Sequence, residues 1–394
     1  MMSAIGLWYP VYDRSLAWVG VSLETDTSAL VPHDFFDKMS SKALAAEGVE
    51  GKLFFVGANV LGACKQPLEL PFPPSRLVAV LSEIFLSTEA SMAILHAWHS
   101  QKVRLAVAGL APPTGLSHDM VAMHVFDAAT VRQSFGEKTL LDASRSGGKL
   151  FVQDISSMDL FEWCAKSGFS YFTFGGLDAP EYGDQSKDPS RLPLMRLLSL
   201  VAADAEIADM EEVFKRDPKL AFGLLKLVNS ASFGTRKEIT SFAQAILLLG
   251  RRQLQRWLQL LMFSLRKEGG DSPNILMQRA AERGKMMELL SQGGKEKSDA
   301  EYAFMVGVFS VLDILMQTPL EKLLESVSLP QPVEDALLKR EGRLGILLDL
   351  VCATEQRNFA DVQRLLPNLG IAPELLSRFQ LDAIFWAFKT VGAK

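Results

Sequence analysis

Short apolar runs alternate with longer mixed segments along the first half of the chain. LAWVGVSL (16–23), KLFFVGANV (52–60), RLVAVLSEI (76–84), KVRLAVAGL (102–110), HVFDAA (124–129), KLFVQDIS (149–156) and FSYFTFGG (169–176) have the length and the β-branched and aromatic content of strands. Most are continuous apolar runs, as expected for parallel strands covered on both faces. Between them STEASMAILHAWHS (87–100) and SMDLFEWCAKSG (157–168) carry helical spacing. Repeated strand–helix units predict a parallel α/β sheet or barrel over residues 1–185.

The polar stretch LDAPEYGDQSKDPSR (177–191) reads as a linker. Beyond it the period changes. From Leu192 helical spacing dominates, and residues 190–394 are expected to be all-helical. Asp209 with Glu212 has the spacing of a capping box. Asp217-Pro218 reads as a helix start, with Leu220, Leu224, Leu227 and Val228 on one face. Ser241 and Gln244 suggest a second capping box, and Gly250 a helix stop. Leu254, Trp257, Leu258 and Leu261 carry the next apolar stripe. KEGGDSPN (267–274) and SQGGKEKSD (291–299) read as exposed loops. No internal repeat is evident.

Composition narrows the class. A chain of 394 residues, 48% hydrophobic and 22% charged, is ordinary for a globular protein of two or three domains. The acidic excess lies in the first half, and neither half is basic enough for a general nucleic-acid binder. No apolar run approaches the roughly 18 residues of a membrane span, and the start MMSAIGLWYPVYDR lacks a signal-peptide pattern. Cys64, Cys164 and Cys352 form no close pair, so reduced thiols in a cytoplasmic protein are expected.

Few residues suggest chemistry. His96 and His99 stand three apart on a helix, a conceivable metal-ligand spacing. No second pair follows, and a solvated helix face is the simpler reading. His118-Asp119 spells an HD pair in a loop after Pro112-Pro113, the wrong context for a metal site. Arg251, Arg252 and Arg256 beside Trp257 could contact a nucleic acid. The alternative is a core tryptophan with arginines on a solvated face. Asn229-Ser230 could bind a ligand, but short polar side chains before Gly234 equally end a helix and start a turn.

DPKLAFGLLKLVNSASFGTRKEITSFAQAILLLGRR (217–252) strongly resembles the signature of the HDOD domain, and EYAFMVGVFSVLDILMQTPLEKLLESVSLPQPVEDALL (301–338) resembles its later helices. LWYPVYDRSLAWVGVSL at the start resembles the first barrel strand of EAL domains, and KSGFSYFTFGGLDAP their last strand. The whole chain thus resembles bacterial EAL–HDOD signalling proteins. That implies a degenerate, shortened α/β barrel over 1–185, with some elements missing, followed by an all-helical HDOD bundle over 190–394.

HDOD domains look like HD phosphohydrolases without their metal. All five histidines precede residue 125, so the HDOD half contains none. Ser310 and Val311 stand where the resemblance implies His and Asp. Active EAL domains hydrolyse cyclic di-GMP with carboxylate-held cations. Here the implied ligand positions fall on Ser22, Val80, Ala108, Gly109, Val125, Gln153, Ser156 and Thr173, while Asn59, Glu83 and Asp127 match and Glu24 lies near. The resemblance therefore implies a signalling protein, not an enzyme, without cofactor or metal, contacting protein partners through the HDOD half. Binding of cyclic di-GMP, nucleic acid or membrane is not expected. The alternatives are a cyclic di-GMP receptor that binds without cutting, or a residual phosphodiesterase supported by Glu83 and Asp127. An arginine at the barrel mouth would favour the receptor; Arg76 and Arg104 lie at strand starts, the wrong end.

Overall fold

The computed structural model describes residues 5–26, 49–63, 72–86, 91–109, 115–134, 148–176, 192–216, 224, 228, 242–264, 275–293, 298–316, 318–325 and 329–391. The linker stretch 177–191, Cys64, Asp217-Pro218, Asn229-Ser230 and Ser241 lie outside them.

Eight strands close into a barrel in chain order: β1 Gly6–Tyr12, β2 Trp18–Thr25, β3 Leu53–Gly57, β4 Leu77–Leu81, β5 Arg104–Ala108, β6 Val121–Asp127, β7 Lys149–Ile155 and β8 Tyr171–Phe174. From β2 to β8 every neighbour is parallel, whereas β1 runs antiparallel to both β2 and β8. The opening segment is thus a hairpin and not one strand. Asp13 shapes its turn: one carboxylate oxygen accepts from the amides of Ser15 (2.8 Å) and Ala17 (3.0 Å), while Leu16 takes a left-handed φ of 58°. No strand is missing from the barrel, since two strands come from one apolar stretch, but the hairpin has no helix between them. Among the described residues several crossover helices are short: α1 Ala58–Ala63, α2 Glu83–Leu86 and α4 Ala128–Ser134 are six, four and seven residues long. Between them α3 is Ser91–Ser100 and α5, further on, is Met158–Lys166.

Alternation separates two apolar layers. Leu53, Phe55, Val78, Ala106, Met123, Val125, Phe151 and Tyr171 fill the barrel interior. Trp8, Val21, Phe54, Val56, Leu77, Ala79, Leu105 and Val107 face outward.

The helices that follow are α6 Leu192–Ala202, α7 Ile207–Arg216, α8 Phe242–Ser264, α9 Ile275–Gln292, α10 Ala300–Phe309, α11 Leu312–Met316, α12 Leu320–Leu324, α13 Gln331–Lys339, α14 Gly342–Glu355, α15 Phe359–Leu369 and α16 Pro373–Val391. The compact units do not follow the 1–185 and 190–394 division. One comprises 1–178, 292–297 and 349–394; the other comprises 179–291 and 298–348.

In the barrel unit α16 covers β1. A hairpin supplies no crossover helix, so the outward side of β1 needs another cover. Leu381 and Ile384 join the outer layer with Trp8, and Phe388 stacks on Trp18 at 4.2 Å. Gln380 Oε1 accepts from the Trp8 amide at 2.8 Å. In the helical unit α9 and α10 cross at Gly284 and Gly307. A Cβ on Gly307 would come within 2.7 Å of the Gly284 Cα, so only glycine permits this approach. Gly250 interrupts α8 with φ 74°, at the helix stop the sequence predicts. Asp209 lies inside the first turn of α7, where its amide bonds the Glu206 carbonyl, instead of capping from outside.

Candidate functional site at the barrel mouth

Parallel strands end together, so the interior positions at the carboxyl ends of β2–β8 form one rim. Following the alternation upward from the filled interior, these positions are Glu24, Gly57, Val80, Ala108, Asp127, Gln153 and Thr173, with Ser22 one step deeper than Glu24 beside Phe55. The register seats Val80 beside Gly57, Ala108 beside Val125, and Asp127 beside Gln153. Of the positions singled out by the resemblance, Ser22, Val80, Ala108, Val125, Gln153 and Thr173 lie on the interior side of their strands, while Gly109 and Ser156 follow the ends of β5 and β7. Asn59 lies in α1 and Glu83 opens α2, each just after its strand. Arg76 sits at the opposite end, where it donates to the carbonyls of Lys52 and Val49.

The chemistry of that rim is not that of a two-cation site. Val80, Ala108 and Val125 offer no donor atom. Ser22 and Thr173 are buried hydroxyls. Asp127 is exposed and accepts from the Ala129 amide at 2.7 Å, capping α4. Among the described residues, no three His, Cys, Asp or Glu side chains gather in a metal-holding group. Among the described residues, the side chains at the rim do not gather the several shared hard oxygen ligands that a pair of divalent cations needs.

The rim instead receives an arginine from far along the chain. Arg357, between α14 and α15, reaches Glu24 at the end of β2 through Nε (2.9 Å) and Nη2 (3.2 Å). Its Nη1 reaches Asp154 at 2.6 Å, and Nη2 also donates to the Thr173 hydroxyl at 3.1 Å. Its guanidinium carbon lies 4.0 Å from the centre of the Tyr9 ring, and the Tyr9 hydroxyl donates to the Thr354 carbonyl at 2.9 Å. Burial disfavours the charged guanidinium, but Glu24 overrides it by charge and hydrogen bonding, aided by Tyr9 and Asp154, and the Arg357 pKa is raised.

The backbone accommodates this contact at both ends. Asp154 lies where the β7–β8 register shifts and has φ 67°; Arg357 has φ 56°. Both are left-handed conformations uncommon for residues other than glycine. Asp154 also donates its amide to the Thr173 hydroxyl at 3.1 Å. A Cβ on Gly175 would fall 1.9 Å from the Asp154 carboxylate, so the strand leaves it room. Nothing local in TEQRNF (354–359) signals this role, and Arg357 lies 333 positions from Glu24.

The other candidates resolve separately. Ser310 caps the carboxyl end of α10, its hydroxyl donating to the Gly307 carbonyl and receiving Arg283 Nη1 at 2.7 Å. Val311 is buried. Nearby, burial raises the Asp313 pKa, against the opposing influence of the Ile314 amide and Arg283. Arg251, Arg252 and Arg256 pair with Asp204, Glu301 and Glu288, and Trp257 is half-buried. His96, His99, His118 and Asp119 are exposed. His124 is buried, with Nδ1 2.8 Å from the Gly109 carbonyl.

Residues 193–328 match the HDOD domain family. A protein of Vibrio cholerae serotype O1, cyclic di-GMP phosphodiesterase CdgJ, is 29% identical over 247 residues, covering 62% of this chain and 57% of its own. YuxH of Bacillus subtilis is 29% identical over 189 residues, covering 48% and 46%. The chain spans about half the length of these curated relatives. The PaMucR phosphodiesterase in complex with c-di-GMP aligns with 44% of this chain and 94% of its own, at 12% identity and a TM-score of 0.33. The expectation that this chain is not an enzyme is overturned by its similarity to a protein named as a phosphodiesterase. The expectation against cyclic di-GMP binding loses its support with it. Among the described residues, no helix is long and apolar enough to cross a membrane.

Proposed function

We propose that the chain acts in cyclic di-GMP signalling, with the barrel mouth as its nucleotide-facing site and the helical unit as its protein-contacting module. The observation that carries this reading is Arg357 at the mouth, 4.0 Å over the Tyr9 ring and flanked by Glu24 and Asp154. A guanidinium matches phosphodiester oxygens in charge and planar geometry. Carboxylates match the N–H donors on the guanine edge, and an aromatic face matches a base. These groups now satisfy one another, and an arriving nucleotide would exchange partners with them. The similarity to a cyclic di-GMP phosphodiesterase over 62% of the chain points to the same ligand.

Calorimetric titration of the full chain with cyclic di-GMP tests this, beside a turnover assay with Mg²⁺ or Mn²⁺ and product detection. One nucleotide or nucleotide dimer per mouth is expected, with weaker binding in Arg357→Ala. The absence of both binding and turnover overturns the nucleotide reading. Cross-linking of the full chain to captured partners tests the second role: cross-links concentrated in 192–348 support it, and cross-links confined to the barrel strands overturn it.

A further inference from the structure

We propose that the floor of the barrel, at the starts of its parallel strands, binds a phosphate monoester between Arg104 and Lys149, with the Tyr171 hydroxyl as a third donor. This site lies at the opposite end from the nucleotide-facing mouth and does not depend on that reading.

The strand register brings the three side chains to one end of the interior. Arg104 starts β5 and pairs with Val78 of β4, Lys149 starts β7 and pairs with Met123 of β6, and Tyr171 starts β8 and pairs with Phe151 of β7. Val78, Met123, Phe151 and Tyr171 belong to the interior layer, so Arg104 and Lys149 leave their strands on that same side. Only β6 separates β5 from β7, a span of about 10 Å, which two long cationic side chains close from either side of one anion. The apolar layer behind them lowers the local dielectric and strengthens each charge.

These groups are left with bonds to make. Among the described residues, the Arg104 side chain has no ion pair or hydrogen bond and Lys149 has no carboxylate partner. Lys149 Nζ donates to the Tyr171 hydroxyl oxygen at 2.9 Å and lies 5.2 Å from the centre of its ring. That oxygen already accepts, so the hydroxyl proton is free to be given. Tyr171 is 7% exposed, and no described residue accepts the proton. An oxyanion would satisfy it.

The neighbouring cations are engaged. Arg14 donates to the Phe169 and Gly168 carbonyls, Lys52 to that of Trp18 and Arg76 to those of Lys52 and Val49, while Lys166 pairs with Glu162. Together with Lys102, Arg104 and Lys149 they are seven of the eight described lysines and arginines in residues 5–176, so this end draws anions although the acidic excess of the chain lies in its first half. The acids at this end serve other groups: Asp13 accepts from the Ser15 and Ala17 amides, Glu50 acts on Arg76, and Asp119 bonds the Ser117 side chain. Two cations without a carboxylate match the charge of about −2 on a phosphate monoester better than the single charge of a carboxylate. Guanidinium, ammonium and hydroxyl donors suit its terminal oxygens.

Calorimetric titration of the full chain with inorganic phosphate tests the site, at about pH 8, where phosphate is mostly doubly charged, with acetate at equal ionic strength beside it. Saturable binding of one phosphate per chain is expected, and no saturable binding of acetate. Lys149→Gln and Arg104→Gln should each weaken phosphate binding about tenfold, and Tyr171→Phe about threefold. Should Arg104→Gln fail to fold, the other two variants carry the same readout. Lys166→Gln removes the same charge from the same end but outside the site, and should change binding less than about twofold. An equal loss there reduces the effect to surface charge and overturns the site. Phosphate binding lost in Arg357→Ala but kept in Lys149→Gln places the ion at the mouth and overturns it as well. So does unsaturable binding, or acetate held as tightly as phosphate. Cyclic di-GMP titrated into the same variants separates the two ends: the floor variants should keep its binding, and its absence throughout overturns the nucleotide reading alone.

Discussion

The barrel mouth and the core of the helical unit each hold an arginine near a position where a metal site is implied by resemblance, yet they are built on different scales. Arg283 reaches Ser310, 27 positions away, across two helices that already touch at Gly284 and Gly307. Its contact follows from helix packing. Arg357 reaches Glu24, 333 positions away, and meets two carboxylates, a hydroxyl and an aromatic face. That contact joins the α14–α15 joint to four separate strands and exists only in the folded barrel unit. A long-range, charge-balanced site depends on all its parts at once, so it should be the more sensitive of the two.

Arg357→Ala should therefore have the largest effect. Removing one member of a largely buried pair costs about 3–5 kcal/mol when the remaining charge is sealed in. Solvent at Asp154 lowers that, and a loss of roughly 2–3 kcal/mol is expected in denaturant unfolding. Arg283→Ala should cost about 1–1.5 kcal/mol, the scale of the hydrogen bonds it makes to Ser310. An equal or larger loss for Arg283→Ala would break the comparison.

Asp313→Asn sharpens it from the helical side. Burial raises the Asp313 pKa above its unfolded value of about 3.8, so the folded chain holds the proton more tightly. Its ionisation lowers stability as pH rises through the folded pKa, and the penalty disappears towards the unfolded pKa. The asparagine variant should be more stable near pH 7 by less than about 1 kcal/mol, and the difference should shrink on acidification. A variant destabilised at neutral pH would show that the carboxylate is held by its neighbours more than it is penalised by burial.

The smallest effect should be a rate and not a stability. Burial pushes the Cys164 thiol up to about 12, against the pull of Arg132. An alkylating reagent at pH 8 should leave Cys164 unmodified in the folded chain and label it in denaturant, by mass spectrometry. Rapid labelling without denaturant would mean that the barrel wall around α5 opens readily.

Much of this architecture was legible in the sequence. Seven strands show as apolar runs because both of their faces are covered. Gly250 shows as a helix stop because only a left-handed residue suits that joint. The first strand was hidden by Pro10 and by its fusion with the second into one apolar stretch, and only the turn chemistry of Asp13 separates them. Asp209 misled because Asp–Glu spacing suits the first turn of a helix as well as its cap. The positions from Ser22 to Thr173 were singled out by resemblance alone, because continuous apolar runs do not show which side of a strand faces inward; the strand register supplies that. Arg357 was not, since a lone arginine in a polar loop looks like any solvated side chain until the barrel supplies its partners.

The cover that α16 gives β1 has a consequence for how the chain is made. Trp8 lies 372 positions from the Gln380 that receives its amide. On the ribosome, the first hairpin emerges with its outward side bare and stays so while the other strands and the whole helical unit are synthesised. At about 5–20 residues per second that is tens of seconds during which Trp8 and Trp18 lack their final partners. The barrel can close early, but it is sealed late, and a nascent chain halted before residue 373 should need a chaperone or remain prone to aggregation.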